Sequence, residues 1–392
     1  MTNSRHVAMV CMTIPHYLPS VGYGGPVYSL KEIVGLADVC QATVETACLD
    51  HFYDTKKIIP NVSRLDNVRY LEKTPFAWLV YGYKSFERFS TIYVNSFFHP
   101  YASFWIFNGI MLASLRRHDY FKNKKLVISP RGELLAARIL SRKSHFKLLY
   151  IRVVKLIILF LKCDVSFVAS SEEERESICY YFPSWKVHVV PNLVSRLLPS
   201  PGRVNQCLAN NFKNKPLSLI YFSRISPEKG LYEILLQLSS LEIDFVFNVY
   251  GSSVTKEYLL RCKSASAMGA LNEKVVFHGS YDRSNIPKMC ATSDIFLYRP
   301  IAENFSHAFF EALMCEIIPV VPNTIPWRFN SKRVDEFVFY DMAKSGSLAS
   351  RLLDYSGMSI SEREDLRRSV FEIDLPEKVI AGAASDWKKV LF

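Results

Sequence analysis

Short apolar runs that alternate with helix-like segments are the feature of this sequence that most limits its fold. The runs at 6–12, 217–222 and 295–298 each have the pattern of a buried strand, and each precedes a turn-rich loop and an apolar-periodic helix. Such alternation in both halves predicts parallel sheets covered by helices. With 392 residues, 49% of them hydrophobic, the chain is long and apolar enough for two domains of this kind. The expected fold class is therefore α/β.

Two glutamates eight positions apart carry the strongest functional signal. Glu303 follows the run 295–298, and Glu311 lies inside the next apolar-periodic helix. Between them, the amides of Phe305, Ser306 and His307 stand at a helix N-terminus, where free N–H groups and the helix dipole bind phosphate. Carboxylates accept hydrogen bonds from sugar hydroxyls. The segment predicts a nucleotide-sugar site, and the alternative is a pair of solvated charges on a helix face.

The segment 302–313 resembles the Glu-x7-Glu motif of retaining glycosyltransferases of family 4, which have the GT-B fold. Asn304 and the residue after it fit the motif, and Pro319 begins the apolar strand that follows. The run 217–230 resembles the family's strand–Gly-Arg…Lys-Gly segment. The resemblance implies two Rossmann-like domains whose parallel sheets face each other across a cleft. It also implies that Arg224 and Lys229 neutralise the donor diphosphate, as fixed cations do for a leaving group without a metal.

The amino-terminal half carries matching loops. Gly24 and Gly25, after the first strand, resemble the family's glycine loop, where the backbone approaches the donor phosphates and the acceptor. His99 lies on the strand-end loop of the run 92–100. The run Ser129-Pro-Arg-Gly-Glu-Leu134 resembles one branch of the family, the surface-polysaccharide-type glycosyltransferases.

The same resemblance implies a division of the chain. Residues 1–192 would form the acceptor-binding domain, 193–216 a linker rich in Pro, Asn and Ser, and 217–372 the donor-binding domain. Residues 373–392 would form a last helix that crosses back to the first domain.

From the resemblance we expect a retaining, metal-independent glycosyltransferase that moves a hexose-type sugar from a UDP or GDP sugar. The acceptor would be a glycan, or one linked to polyprenyl diphosphate, in the biosynthesis of bacterial surface polysaccharide (O-antigen, capsule or exopolysaccharide). No cofactor or metal is expected, since the nucleotide sugar is itself a substrate. The residues assigned to catalysis are Glu303, which would hold the hexose, Glu311, which would hold the ribose, Arg131 and His99. The residues assigned to the donor are Arg224, Lys229, Asn304, Phe305, Ser306, His307 and Gly251.

Three residues depart from the family pattern. Ser306 replaces a glycine, and its Cβ narrows the approach of a phosphate. Glu316 replaces the glycine that follows the helix, where a left-handed Glu costs about 1 kcal/mol, so we expect a locally different turn. Arg131 replaces a common histidine and cannot act as a base. His99 is the candidate substitute, and the alternative is a loop histidine with no role.

These departures keep two other functions open. One is a non-catalytic GT-B partner protein that binds a nucleotide sugar or a membrane surface to position another enzyme. The other is a GT-B nucleotide-sugar epimerase. Donor hydrolysis or transfer above background argues against the first, and a product formed without an acceptor would reveal the second.

The positive charge of the chain is concentrated in one segment. There are 48 Lys and Arg against 37 Asp and Glu, a net charge of +11, and the window 115–162 holds thirteen basic and two acidic residues, the same excess. Within it, the run 138–155 interleaves basic residues with Phe146, Leu148, Leu149 and Tyr150, which is typical of an amphipathic helix on an anionic membrane. The alternative is a solvated basic helix. No nucleic-acid-binding motif accompanies the charge.

We expect a cytoplasmic protein with peripheral contact at the inner face of the cytoplasmic membrane. No run reaches the roughly 18 uncharged apolar residues of a membrane span, and the amino terminus enters a strand without a secretory signal pattern. The nine cysteines lack Cys-x-x-Cys spacing, so we expect reduced thiols and no metal site.

Overall fold

In the computed structural model the described residues are 8–20, 24–116, 123–140, 144–195, 197, 216–301 and 303–392. Contacts divide the chain into two compact units. The first unit is Met1–Ser195 with Val379–Phe392, and the second unit is Arg196–Lys378. Most of the predicted linker 193–216, the start of the strand predicted at 6–12, and Ala302 of the glutamate segment lie outside the described residues.

The first unit is built on a sheet of seven strands. These strands are β1 Met9–Thr13, β2 Thr43–Leu49, β3 Val68–Leu71, β4 Thr91–Val94, β5 Lys125–Ile128, β6 Asp164–Ala169 and β7 Lys186–Val189. All neighbours pair in parallel, in the order β3-β2-β1-β4-β5-β6-β7. Every residue of β4 is buried. Its apolar run is continuous because helices cover both faces of such a sheet.

Six helices of the described residues accompany this sheet. They are α1 Gly25–Cys40, α2 Pro75–Arg88, α3 Ile106–Arg116, α4 Ala136–Ile139, α5 Ser144–Phe160 and α6 Glu172–Tyr181, and a π-helical turn, Pro100–Trp105, precedes α3. The prediction of one amphipathic helix over 138–155 is confirmed for residues 144–155, which lie in α5, but not for the start of the run. The run is divided between α4 and α5, and α5 continues to Phe160 because Ile157 and Ile158 extend its buried face.

The second unit is built on a sheet of six strands. These are β8 Leu217–Phe222, β9 Phe245–Tyr250, β10 Val275–Gly279, β11 Ile295–Leu297, β12 Ile318–Pro322 and β13 Phe339–Tyr340. They also pair in parallel, in the order β10-β9-β8-β11-β12-β13. Its helices are α7 Leu231–Leu238, α8 Lys256–Ser266, α9 Ile286–Cys290, α10 His307–Met314, α11 Lys332–Val338, α12 Ser347–Gly357 and α13 Ile360–Phe371.

The last helix, α14, spans Leu375–Leu391. From Val379 onward its residues belong to the first unit. Trp387 on this helix is fully buried, its ring centroid lies 5.5 Å from that of Tyr93, and its Nε1 donates to the Pro191 carbonyl at 2.9 Å. The end of the chain is therefore part of the core of the first unit.

Strand order determines where each unit can bind a ligand. In the first sheet the direction of chain progression reverses between β1 and β4, and in the second it reverses between β8 and β11. Loops diverge at such a point, and open α/β sheets bind ligands there, beyond the carboxyl ends of the strands. The predicted α/β class with two parallel-sheet, Rossmann-like units is confirmed.

Candidate active site

A cluster of three polar side chains lies at the carboxyl ends of β8 and β11. Lys229 comes from the loop after β8, Tyr298 directly follows β11, and Glu303 comes from the loop beyond it. The Lys229 Nζ donates to Glu303 Oε2 at 2.7 Å and to the Tyr298 hydroxyl at 2.8 Å, and that hydroxyl donates to the same Oε2 at 2.6 Å. The other oxygen, Oε1, has no hydrogen-bond partner among the residues that the structure describes.

Lys229 and Tyr298 decide the charge of Glu303. Burial by itself disfavours the carboxylate, but the ammonium and the two donated hydrogen bonds outweigh it, so the pKa of Glu303 lies below its ordinary value. Burial, together with the Glu303 charge, raises the pKa of Tyr298 well above its ordinary value. At neutral pH Glu303 is therefore an anion and Tyr298 a neutral donor. Sequence reasoning included Tyr298 in the strand but missed its part in the site.

Two glycines allow the loops around this cluster to pack closely. Gly230, with φ 68°, follows the lysine of the cluster, and a Cβ there would lie 1.9 Å from the Arg299 carbonyl oxygen. At Gly251, a Cβ would lie 1.9 Å from the Ser223 carbonyl oxygen. Only glycine permits either approach. The donor-binding role assigned to Gly251 stays a prediction, since its observed contact is between loops.

Glu311, on α10, faces an arginine that sequence reasoning missed. Arg283 follows β10 and donates through Nε to Glu311 Oε1 at 2.6 Å, with both side chains largely buried. Burial raises the pKa of Glu311, and Arg283 offsets that only in part. Glu311 Oε2 has no hydrogen-bond partner within the described ranges. The two glutamates of the motif thus have opposite pKa shifts, because Glu303 accepts from two buried donors and Glu311 from one arginine.

The N-terminus of α10 is held by aromatic packing. The Phe305 and Phe310 rings stack at 4.9 Å, and Trp327 Nε1 donates to the Phe305 carbonyl at 2.5 Å. Phe305 is buried, so it offers a ligand only its backbone amide. Ser306 is left-handed (φ 71°, ψ 71°), and its buried Oγ has no hydrogen-bond partner in the described part of the chain. The backbone amides of the first turn of α10, which begins at His307, come directly after Ser306 in the chain.

The remaining donor-side residues lie in the same loops. Asn304 and His307 are partly buried on either side of the aromatic anchor. Arg224, in the loop after β8, is partly buried, and its guanidinium makes no hydrogen bond or ion pair with described residues. Of the two cations predicted for the diphosphate, Lys229 is therefore already engaged with carboxylate and phenol, whereas Arg224 is not.

The turn after α10 is left-handed at Glu316, with φ 56°. The expected departure from the family's turn is therefore wrong. The Glu316 amide donates to the Leu313 carbonyl at 2.9 Å, and its carboxylate accepts from Arg367 Nη2 at 2.6 Å. The ion pair offsets part of the strain of about 1 kcal/mol that a left-handed Glu carries.

In the first unit, Arg131 is anchored at the carboxyl end of β4. Its Nε donates to Asn95 Oδ1, its Nη2 to the Tyr93 hydroxyl at 2.9 Å and its Nη1 to Ser29 Oγ at 3.4 Å. The guanidinium carbon lies 5.8 Å from the centroid of the Trp387 ring. These contacts give the side chain a structural role, and its assignment to catalysis stays a prediction.

His99 caps the π-helical turn. Its Nδ1 accepts from the Ala102 amide at 3.0 Å, and burial lowers the pKa of His99 to about 4. The ring is therefore neutral at physiological pH and carries its proton on Nε2. Glu133, from the Ser-Pro-Arg-Gly-Glu-Leu run, accepts from the Phe97 and Phe98 amides at 2.6 and 2.8 Å and holds the same loop.

A further histidine of the first unit was missed. His16, in the loop after β1, is buried, and its Nδ1 lies 3.2 Å from the His51 carbonyl oxygen. Burial lowers the pKa of His16 to about 4.

The predicted glycine loop begins a helix. Gly24 has φ 85° and caps α1, and Gly25 is the first residue of that helix. No atom of the residues that the structure describes lies within 4 Å of a Cβ built at Gly24. Glycine is required there by backbone conformation and not by packing.

The structure brings Lys229 and Glu303 into contact and places Ser306 and Glu311 on the adjoining helix, all within the second unit. Arg131, His99 and the two glycines belong to the first unit. Among the described residues, no three His, Cys, Asp or Glu side chains are grouped so that they could hold a metal ion. Binding roles for all these residues stay predictions.

Comparison with known proteins identifies the class. Residues 208–327 match the family model of glycosyl transferases group 1. No curated protein matches the chain in sequence. Among solved structures, a glycosyltransferase from Rickettsia africae ESF-5 is similar, with a TM-score of 0.67, 17% identity, and coverage of 98% of this chain and 99% of that one.

Two further structures share the fold. Anabaena Alr3699/HepE, solved in complex with UDP and glucose, has a TM-score of 0.67 at 15% identity and is covered over 97% of each chain. WaaG, a glycosyltransferase involved in lipopolysaccharide biosynthesis, has a TM-score of 0.61 at 9% identity, covering 97% of this chain and 99% of that one. The fold is that of GT-B glycosyltransferases. With the matched domain in its second unit, the chain is a glycosyltransferase.

Proposed function

We propose that this enzyme is a retaining, metal-independent glycosyltransferase that moves a hexose-type sugar from a UDP or GDP sugar. The acceptor is a glycan, either free or linked to polyprenyl diphosphate, in the biosynthesis of bacterial surface polysaccharide. The enzyme is cytoplasmic and makes peripheral contact with the anionic inner face of the cytoplasmic membrane, where a lipid-linked acceptor is held.

The observation that carries the proposal is the cluster of Lys229, Tyr298 and Glu303 where the loops after β8 and β11 diverge. An ammonium has three donors, and the Lys229 Nζ uses two of them within the cluster. The third is left for a phosphate oxygen of the donor. Glu303 Oε1 is left for hydroxyls of the transferred sugar. One cluster thus offers an anion site and a hydroxyl site side by side, which is what a sugar diphosphate needs.

The other donor-side residues extend this pattern. Arg224 and the first-turn amides of α10 supply further positive charge and N–H donors for the diphosphate. Glu311 Oε2 supplies an acceptor for ribose hydroxyls. Fixed donors of this kind stabilise the charge that grows on the leaving diphosphate in the transition state. They make that stabilisation independent of a metal ion.

The proposed reaction breaks the bond between the anomeric carbon and the diphosphate oxygen. The acceptor hydroxyl oxygen bonds to the anomeric carbon on the same face, which retains configuration. Its proton passes to the departing phosphate oxygen. Tyr298 keeps Glu303 ionised and oriented during this step, because its own raised pKa leaves it a neutral donor.

The first experiment measures nucleotide binding by thermal shift with UDP, GDP, ADP, CMP and dTDP, alone and as their sugars. A ligand at 100 times its Kd stabilises the folded state by about 2.7 kcal/mol. We expect a rise in Tm with one nucleotide and its sugar, lost in Glu311→Ala. The control is Glu336→Ala, since that glutamate is exposed on α11 and its only ion pair or hydrogen bond with described residues is a 3.9 Å ion pair with Lys332. No shift with any nucleotide would contradict the proposed donor site.

A second experiment tests the reaction itself. The enzyme is incubated with the bound nucleotide sugar and a lipid-linked or free glycan acceptor, with and without EDTA. We expect transfer that EDTA does not abolish, and NMR of the product should show the anomeric configuration of the donor. An inverted product, or one formed without acceptor, would contradict the proposal.

A further inference from the structure

Helix α5 exposes an apolar face. Four large side chains along its outer side are more than half exposed, namely Leu149 at 58%, Leu156 at 57%, Leu159 at 60% and Phe160 at 63%. At 3.6 residues per turn they fall on one side of the helix, together with Arg152. Scattered exposed leucines are ordinary, but a row of four on one helix face is not.

The opposite side of α5 is apolar as well. Ile151, Val154, Ile157 and Ile158 are buried in the core of the first unit. A helix at a protein–water boundary normally has one apolar and one polar side, and a helix that is apolar all round is covered on all sides. The outer row of α5 therefore indicates a second apolar environment beyond the core.

The end of α3 adjoins the end of α5 and also exposes leucines. The Lys162 amide, just after α5, donates to Ser114 Oγ near the end of α3 at 3.2 Å, so the two helix ends adjoin. Leu112 and Leu115 are exposed there, at 43% and 64%. We call the six exposed apolar residues just named the α3–α5 face, defined as Leu112, Leu115, Leu149, Leu156, Leu159 and Phe160.

Helix α5, which carries most of this face, has basic but no acidic side chains. From Ser144 to Lys162 the sequence contains four Lys or Arg and no Asp or Glu. Lys147 and Lys155 are partly buried and donate to the Arg138 and Tyr181 carbonyls, so the exposed cations of this segment are Arg152 and Lys162. Arg152 lies in the apolar row, and it and Lys162 are exposed. Arg116, at the end of α3, is exposed too. Asp164, at the start of β6, is the exposed acid nearest in sequence to α5. Apolar side chains framed by cations suit a surface of anionic headgroups over acyl chains.

We propose that the α3–α5 face docks the enzyme on an anionic phospholipid bilayer by inserting its leucines and Phe160 among the acyl chains. No helix in the described ranges has the length and hydropathy to cross a membrane. With its apolar row among the acyl chains, helix α5 would lie in the plane of the interface and hold Arg152 at the headgroups. This inference rests on the proposed function and deepens it, because it names the surface that contacts the membrane in which a lipid-linked acceptor is held. Its test measures binding to vesicles and not sugar transfer.

The test is co-sedimentation of the purified enzyme with two kinds of vesicle. The neutral vesicles are phosphatidylcholine alone, and the anionic vesicles contain about 30% phosphatidylglycerol in phosphatidylcholine. We expect the enzyme to bind the anionic vesicles and to bind the neutral vesicles far more weakly. The variant Leu156→Ser/Leu159→Ser should weaken this binding at least about tenfold, since two inserted side chains are lost. Arg152→Gln/Lys162→Gln should weaken binding to anionic vesicles and leave the small neutral-vesicle signal unchanged.

The matched control is Leu260→Ser, on α8 of the second unit, which is 63% exposed and lies outside the face. It should bind vesicles as the wild type does. Circular dichroism and the thermal shift with nucleotide confirm that each variant is folded. Wild type that stays in the supernatant, or Leu156→Ser/Leu159→Ser that binds undiminished, would overturn the inference. So would self-association through this face without vesicle binding, which would assign it to a second copy of the chain. Because nucleotide binding is read separately, failure here is distinct from failure of the proposed function.

Discussion

Lys229 is the residue whose removal tests the physical account of the donor cluster most directly. Its Nζ contacts Glu303 at 2.7 Å, and the two side chains are only 16% and 15% exposed. Lys229→Met keeps most of the apolar stem and removes the cation. Glu303 is then left in a buried place with the Tyr298 hydroxyl as its remaining donor. Activity should be lost, and so should much of the stability of the second unit.

The size of the loss follows from burial. Removing one partner of a buried ion pair costs about 3–5 kcal/mol, because the other charge stays desolvated. Because the hydrogen bond from Tyr298 to Glu303 survives, the loss of unfolding free energy in Lys229→Met should lie near the lower end of this range, at about 3 kcal/mol. Lys229→Met/Glu303→Gln has no unpaired charge, so it should recover about 2 kcal/mol relative to the single variant.

The pH dependence of stability should change sign. In the wild type the pKa of Glu303 lies below its ordinary value of 4.5, so its contribution is present above pH 4.5 and is lost as pH falls through the folded-state pKa. In Lys229→Met the largest cause that lowers this pKa is removed, and burial is opposed by Tyr298 and more weakly by His307, so we expect the pKa of Glu303 to rise above its ordinary value. Stability of the variant should then decrease as pH rises through that raised pKa.

The assay is native-state hydrogen exchange on peptides from β8, β11 and α10 at pH 5 and pH 7.5, corrected for the intrinsic exchange rate. This restricts the measured free energy of opening to the second unit. Lys332→Met is the control, because its ion pair with Glu336 is exposed, and it should show no measurable change. A loss below about 1 kcal/mol at pH 7.5 in Lys229→Met, or no recovery in the double variant, would refute the reasoning.

Three further predictions concern stability and can be read by thermal or urea unfolding. Gly109→Ala places a Cβ 2.3 Å from a backbone carbonyl of α2 and should cost about 1–3 kcal/mol. Gly382→Ala on α14 meets no atom of the described part of the chain within 4 Å and should stabilise by about 0.5–1 kcal/mol. Glu316→Gly loses the ion pair with Arg367 but relieves the left-handed strain, so it should lie within about 1 kcal/mol of wild type, and Glu316→Ala should be about 1 kcal/mol less stable than Glu316→Gly. Trp387→Ala removes a fully buried indole and its bond to a backbone carbonyl, and a cost of less than about 2 kcal/mol would contradict the view that α14 completes the core of the first unit.

The sequence predicted the parts of the candidate site that lie at strand ends and helix starts, because those boundaries can be read from local patterns. Glu303 and Lys229 each stand just beyond an apolar run, so a parallel sheet places both at one edge. Their contact depends in addition on β8 and β11 being neighbours, although the two residues are 74 positions apart. Tyr298 and Arg283 were missed for that reason. A tyrosine at a strand end and an arginine in a loop have no local pattern that names their partners.

The sequence by itself determined the α/β class, the strand-end loops, the helix that begins after Ser306 and the excess of positive charge near α5. These follow from hydrophobic periodicity and turn chemistry, which act over a few residues. Only the tertiary structure decided that Glu303 is stabilised as an anion while the pKa of Glu311 is raised, and that leucines and Phe160 of α5 face outward. The reason is that the pKa of a carboxyl group depends on its desolvation and on the nearest opposite charge. The exposure of an apolar side chain depends on which residues cover it. Both are set by residues distant in sequence that packing brings together.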